Sequence, residues 1–139
     1  MIRSFEHKTI AVDIDGVILD SMQGKFDRKS YSPLYLEDFQ IMDGCIEVLT
    51  KLKAQGYTII LYTCRTNIDW VGNAGHTVEE IVIGITEQMR SRNIPFDFVA
   101  PFKPIADIYI DDRGYYFENW NRTEIDLKFM GCLKMDKSK

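Results

Sequence analysis

Asp13 and Asp15 stand two positions apart, directly after the apolar run Ile10, Ala11 and Val12, and Gly16 follows them. Alternate side chains of a strand share a face, so the two carboxylates are expected side by side at the strand's carboxyl end. Two acidic groups held that close repel, and without a cation one of them tends to keep its proton. Such a pair binds a metal, or divides the work: one carboxylate acts as nucleophile or ligand, the other as proton donor. Further along the chain come Thr63-Cys64-Arg65, then Lys103, then Asp111-Asp112-Arg113. A carboxylate pair, a hydroxyl, an ammonium and a second carboxylate pair make the set that phosphoryl transfer requires. An anionic phosphate approaches a carboxylate only where its charge is neutralised by Mg²⁺ and a Lys or Arg. Mg²⁺ takes a few carboxylate oxygens plus water and phosphate, which Asp13 and the Asp111-Asp112 pair can supply. Thr63 can donate to a phosphoryl oxygen, and Lys103 can hold one as a point charge.

The elements that must position these groups can be read from periodicity. Residues 9–14, 57–62, 96–99 and 106–110 have the short apolar, β-branched or aromatic character of strands. Residues 45–53 carry apolar side chains at helical spacing, with Gly56 as a stop. Residues 77–92 read as a second helix, opened by a capping box of Thr77 and Glu80. Strands alternating with helices predict an α/β fold: a Rossmann-like, doubly wound parallel sheet with helices on both faces. Ligands of such sheets bind at the carboxyl ends of the strands, where the polar residues singled out above fall. Residues 20–43 are long for a connection and mix Lys25, Arg28 and Lys29 with Tyr31, Tyr35 and Phe39; a loop of that length reads as a flap or lid. Residues 65–76, with Gly72 and Gly75, read as a second loop over the same edge. The apolar positions of 119–136 fit neither period, although a helix closing one side of the sheet is one reading. The tail 134–139 is short and polar and is expected to fray.

The four motifs, in this order, resemble those of the haloacid dehalogenase-like phosphatase superfamily. Its DxDG[TV]xxD loop corresponds to Asp13 through Asp20, followed by Thr63, Lys103 and the acidic pair Asp111-Asp112, so the likeness spans about residues 9–113. It implies that Asp13 attacks phosphorus and becomes an aspartyl phosphate. It implies that Asp15 protonates the leaving group and then deprotonates the attacking water. It implies a Mg²⁺ cofactor held by Asp13, the Asp15 main-chain carbonyl, Asp112 and Asp111, with Asp111 direct or through water. Thr63 and Lys103 would bind the transferring phosphoryl group together with Cys64 and Arg65, and amides near Ile14 and Asp15 would complete the cradle. An acid at position 15 fits a hydrolase with turnover, since a general acid/base is worth about 10²–10⁴-fold. The modest insert resembles members with a minimal cap or none, which act on large substrates or cap themselves as homo-oligomers.

Composition places the chain in an ordinary class. At 139 residues, 45% hydrophobic and 27% charged, it suggests one domain with a real core. The net charge of −4 gives no general attraction to nucleic acid or anionic membrane, leaving only a phosphate end as a nucleic-acid substrate. No apolar stretch is long enough to span a bilayer, residues 1–8 lack a signal-peptide core, and Cys45, Cys64 and Cys132 form no CxxC pair. A cytoplasmic location is expected. The predicted substrate is a small phosphate ester, with the flap aromatics favouring a nucleotide.

Each motif also has a plainer reading. Strand-end aspartates can be solvated loop carboxylates, Thr63 a turn residue and Lys103 a surface lysine. Arg65 and Arg113 can clamp substrate or pair with the carboxylates, pairing being the closer fit. Cys64 has no histidine partner and reads as packing, as do Trp70 and Trp120, with Trp70 also a candidate substrate platform. His76 reads as a surface or capping residue. Two other function classes compete: a receiver domain, whose motif order differs from this one, and a catalytically idle phosphate- or metal-binding regulatory domain on the same fold.

Overall fold

The computed structural model describes residues 9–21, 31–111 and 115–135. Its strands are β1 (Thr9–Asp13), β2 (Thr58–Tyr62), β3 (Phe98–Val99), β4 (Ile108–Asp111) and β5 (Tyr115–Tyr116). They form one sheet of order β3-β2-β1-β4-β5, and every pairing is parallel. The fold is α/β and Rossmann-like, as the alternation of elements predicts. β1 lies in the middle: Ile10 pairs with Ile59 on one side and Ile108 on the other, and Val12 with Leu61 and Ile110.

Among the described residues four helices accompany the sheet: α1 (Cys45–Ala54), α2 (Ile68–Asn73), α3 (Val78–Ser91) and α4 (Trp120–Phe129). Going from β1 to β2 to β3 the chain steps twice in the same direction, and right-handed crossovers then put the intervening helices on one face. The core agrees. Ile10, Val12, Ile59, Leu61, Val99 and Ile110 share one apolar cluster with buried residues of all four helices. Their strand neighbours Ala11, Ile60, Tyr62 and Tyr109 point the other way and stand outside that cluster. The helices on both faces expected from the sequence thus narrow, among the described residues, to four helices packed against one face.

Local chemistry explains most element ends. Thr77 and Glu80 form the expected capping box of α3, satisfying two backbone N–H groups that would otherwise lack partners. Gly44 starts α1 in a left-handed conformation (φ +84°), and a Cβ there would sit 3.0 Å from Trp120 Cβ. Glycine is needed at that position for its backbone angle and for the close approach of α4. Trp120 is fully buried and its indole N–H donates to Val17 O (2.8 Å), tying α4 to the loop after β1. α1 ends at Ala54 and is capped by Gln55 just before Gly56, as expected.

Four elements depart from expectation. Inside the loop expected at 65–76 lies α2, nucleated by the Asn67 side chain accepting from the N–H groups of Asp69 and Trp70. Within 119–136, α4 buries Trp120, Thr123 and Leu127. One position of its buried stripe is a threonine, which is why an apolar count found no period. The third strand is shorter than the four residues expected, and the fourth begins two residues later than expected and ends one later, at Asp111. No helix among the described residues is long and apolar enough to cross a membrane.

Candidate active site

Asp13 is the last residue of β1 and pairs in register with Tyr62, the last of β2. Asp111 ends β4 one residue past the Val12–Ile110 pair. The central strand therefore delivers Asp13 between the ends of its two neighbours, half-buried at the carboxyl edge of the sheet. The next turn is tight. Ile18 and Leu19 N–H both donate to Ile14 O (3.0 Å each), Gly16 N–H donates to Leu19 O (2.8 Å), and Gly16 has φ +81°. This winding rotates Asp15 out of the strand's alternation.

The Asp15 carboxylate accepts from Ser21 Oγ (2.7 Å), Thr63 Oγ1 (2.5 Å) and Arg65 Nε (2.9 and 3.1 Å to its two oxygens). Thr63 also accepts from Arg65 N–H (3.2 Å), which caps a single 3₁₀ turn over Cys64–Thr66. Arg65 is fully buried, and its pairing with a carboxylate is the reading the sequence favoured. A buried guanidinium needs such a partner, because leaving the charge uncompensated costs several kcal/mol. Its Nη1 donates to the carbonyls of Pro33 (3.2 Å) and Tyr35 (2.9 Å), and the group lies 5.5 Å from the Trp70 ring centroid and 5.9 Å from that of Phe39. Trp70 thus packs on the arginine, and its indole N–H donates to Tyr31 O (3.1 Å).

A second group gathers around Asp111, which is buried. It accepts from the Tyr62 hydroxyl and from Lys103 Nζ (2.9 Å). The ammonium lies 4.7 Å from the Tyr109 ring centroid and 5.7 Å from that of Tyr62, so aromatic faces as well as a carboxylate place it. The Tyr109 hydroxyl donates to Pro104 O (2.7 Å) and accepts from Ala106 N–H (3.1 Å), shaping the bend that carries Lys103.

Of the residues singled out in the sequence, Asp15, Thr63 and Arg65 come into direct contact, and so do Lys103 and Asp111; Asp13 lies on the strand between the two groups. Asp112 and Arg113, and the flap residues Lys25, Arg28 and Lys29, lie outside the described residues. Cys64 is exposed rather than packed: the 3₁₀ turn buries Arg65 and Thr66 and leaves its first residue outward. The Ile14 amide donates to Tyr62 O (3.0 Å) and so belongs to the sheet, not to a phosphate cradle. His76 Nδ1 lies 3.5 Å from Glu80, an ordinary capping position. Ser21 and Tyr62 were not foreseen. Tyr62 carried a signal, as the last residue of the strand beside β1; Ser21 carried none, since only the winding of 14–19 returns it to Asp15.

Asp13 and Asp111 offer oxygen donors, the type a hard divalent cation such as Mg²⁺ prefers. Among the described residues no three His, Cys, Asp or Glu side chains cluster as a metal site.

No protein-family model matches the chain, and neither does any curated protein. Among solved structures it is similar to the D,D-heptose 1,7-bisphosphate phosphatase from B. bronchiseptica, complexed with magnesium and phosphate, at 18% identity and a TM-score of 0.41. That likeness covers 88% of this chain and 62% of the other, so the chain spans less than two thirds of its neighbour's length. A likeness at that level says nothing of what this chain acts on, and the chemistry rests on its own residues.

Proposed function

We propose that this protein is a Mg²⁺-dependent phosphomonoester hydrolase of the haloacid dehalogenase-like type, working on a small phosphate ester such as a nucleotide. The observation that carries the reading is the place of Asp13, at the end of the central strand between the Asp15–Thr63–Arg65 group and the Lys103–Asp111 group. An Asp13 oxygen attacks phosphorus as the bond to the leaving oxygen breaks, and Asp15 supplies that oxygen with a proton. Water then attacks the aspartyl phosphate and gives its proton to Asp15; Asp13 is restored and inorganic phosphate leaves. Asp13, Asp111, Asp112 and the Asp15 carbonyl would hold Mg²⁺, which neutralises phosphate charge when bound. Lys103 and Thr63 orient the phosphoryl oxygens. Ser21, Thr63 and Arg65 all donate to Asp15, so its carboxyl must exchange one of these partners to face a leaving group. Thr63 is the simplest to exchange, because its hydroxyl is the one then wanted by phosphate.

Phosphate release from p-nitrophenyl phosphate and a panel of nucleotides and sugar phosphates tests this, with Mg²⁺, with EDTA and with Asp13→Asn. Turnover that needs Mg²⁺ and vanishes in the variant supports it. A folded protein that binds Mg²⁺ yet turns over nothing would favour the idle regulatory domain.

A further inference from the structure

Residues 31–39 carry no helix or strand, yet their carbonyls are taken up by side chains of the scaffold. Gln88 of α3 and Arg92, the residue that caps its C-terminus, reach Leu34 O (2.9 Å) and Phe39 O (2.6 Å), with a longer contact from Arg92 to Leu36 O (3.4 Å). Arg65 takes the carbonyls of Pro33 and Tyr35, and it alone among these three also touches Asp15. Backbone acceptors removed from water need such donors, so the carbonyls of Pro33 and Tyr35 keep theirs only while the guanidinium holds its orientation. A guanidinium is planar and rigid: turning one edge turns the other. Its Nε edge grips both Asp15 oxygens while Nη1 grips the segment, and Phe39 and Trp70 hem it in.

We propose that Arg65 is a positioning residue that couples the seating of residues 31–39 to the placement of the Asp15 carboxylate, so that neither settles without the other. The kinetic half of this rests on the phosphatase reading; the coupling itself does not. Lysine keeps the charge at position 65 but cannot present two edges at once. Arg65→Lys therefore releases either the segment or the carboxylate. Asp15→Asn, which takes the charged partner from one end, loosens the other.

Hydrogen exchange decides the coupling without any turnover. Both Arg65→Lys and Asp15→Asn should raise amide exchange across residues 35–39 at least tenfold while β1 and β2 keep their protection. An unchanged rate in 35–39 for Asp15→Asn overturns the proposal, even if Arg65→Lys proves too unstable to read. Kinetics decide the consequence. A proton donor matters little for a leaving group such as p-nitrophenolate and much for an alkoxide. For Arg65→Lys, kcat/KM on an alkyl phosphate should fall at least tenfold more than on p-nitrophenyl phosphate. Equal losses on both overturn the positioning role, because a merely structural defect would lower both alike. A wild-type protein inactive on both substrates would sink the phosphatase reading, and the exchange result would still decide the coupling.

Discussion

Gly84, in the middle of α3, gives the sharpest test of how residues 31–39 are seated. A glycine inside a helix usually invites replacement, since alanine there is worth about 1 kcal/mol. Here a Cβ would stand 2.5 Å from Leu34 Cδ2, 3.3 Å from Cδ1 and 3.5 Å from Cγ. The Leu34 backbone cannot simply withdraw, because its carbonyl accepts from Gln88 (2.9 Å) and its N–H donates to Ser32 Oγ (3.1 Å). The side chain must swing aside, and overpacking of this kind costs about 1–3 kcal/mol. The clash exceeds the helix gain, so Gly84→Ala should destabilise the protein by about 1 kcal/mol and lower Tm by about 3–5 °C. In a Leu34→Ala background the obstacle is gone and the same substitution should stabilise by about 0.5–1 kcal/mol. Urea unfolding of the four proteins in this cycle, followed by circular dichroism, reads the coupling directly. If Gly84→Ala stabilises both backgrounds equally, residues 31–39 do not press on α3 and the account of their seating is wrong.

Three other outcomes follow from the same contacts. Lys103→Ala should lower kcat by about 10²–10³-fold on any phosphate ester turned over, and should also lower Tm, because the buried Asp111 loses its ammonium partner; steady-state kinetics and a thermal melt check both halves. Trp120→Phe removes the donor to Val17 O and leaves a void in a fully buried site, at about 2–4 kcal/mol in urea unfolding. Asp97 is raised by burial, but hydrogen bonds from Lys53 and the Ile59 N–H, with the charges of Lys53 and Arg90, outweigh this and leave its carboxyl below the usual range. A depressed native value stabilises above the unfolded pKa, near 4, and that contribution is lost as pH falls through the native value. Asp97→Asn should cost about 1 kcal/mol at pH 7, and its gap to the wild type should close in unfolding titrations run at successively lower pH below 4.

Much of the sheet and of the site's cast was legible in the chain. Strands β1 and β2 announce themselves as apolar β-branched runs, and α3 by its capping box, because these signals are local. Asp13, Asp15, Thr63, Lys103 and Asp111 follow from a rule about strand ends that needs no coordinates. What escaped depends on contacts between distant segments. α2 is six residues long and rests on one asparagine side chain. The stripe of α4 hides behind a buried threonine. That Arg65 grips both Asp15 oxygens, and that the same guanidinium reaches Tyr35 O, depends on how residues 31–39 fold back over α3. Cys64 shows the limit of reading polarity alone: its neighbours Arg65 and Thr66 are buried while the thiol faces out.

The place of β1 in the sheet has a consequence for how the chain comes to be folded. One neighbour, β2, follows after a single helix, but the other flank is completed only by β4; Thr9 N–H already reaches an Asp107 oxygen 98 positions on (2.9 Å). Pairings that distant slow folding, because the loop they close is long before any contact compensates for it. As the chain emerges from the ribosome, β1, β2 and the first helices can assemble while one edge of the central strand waits for its partner. An open edge of that kind recruits other strands. The Asp111 and Lys103 group that completes the site is carried by the same late segment. Nascent or truncated chains ending before Ile108 should therefore be aggregation-prone, and activity should appear only once the last strand has docked.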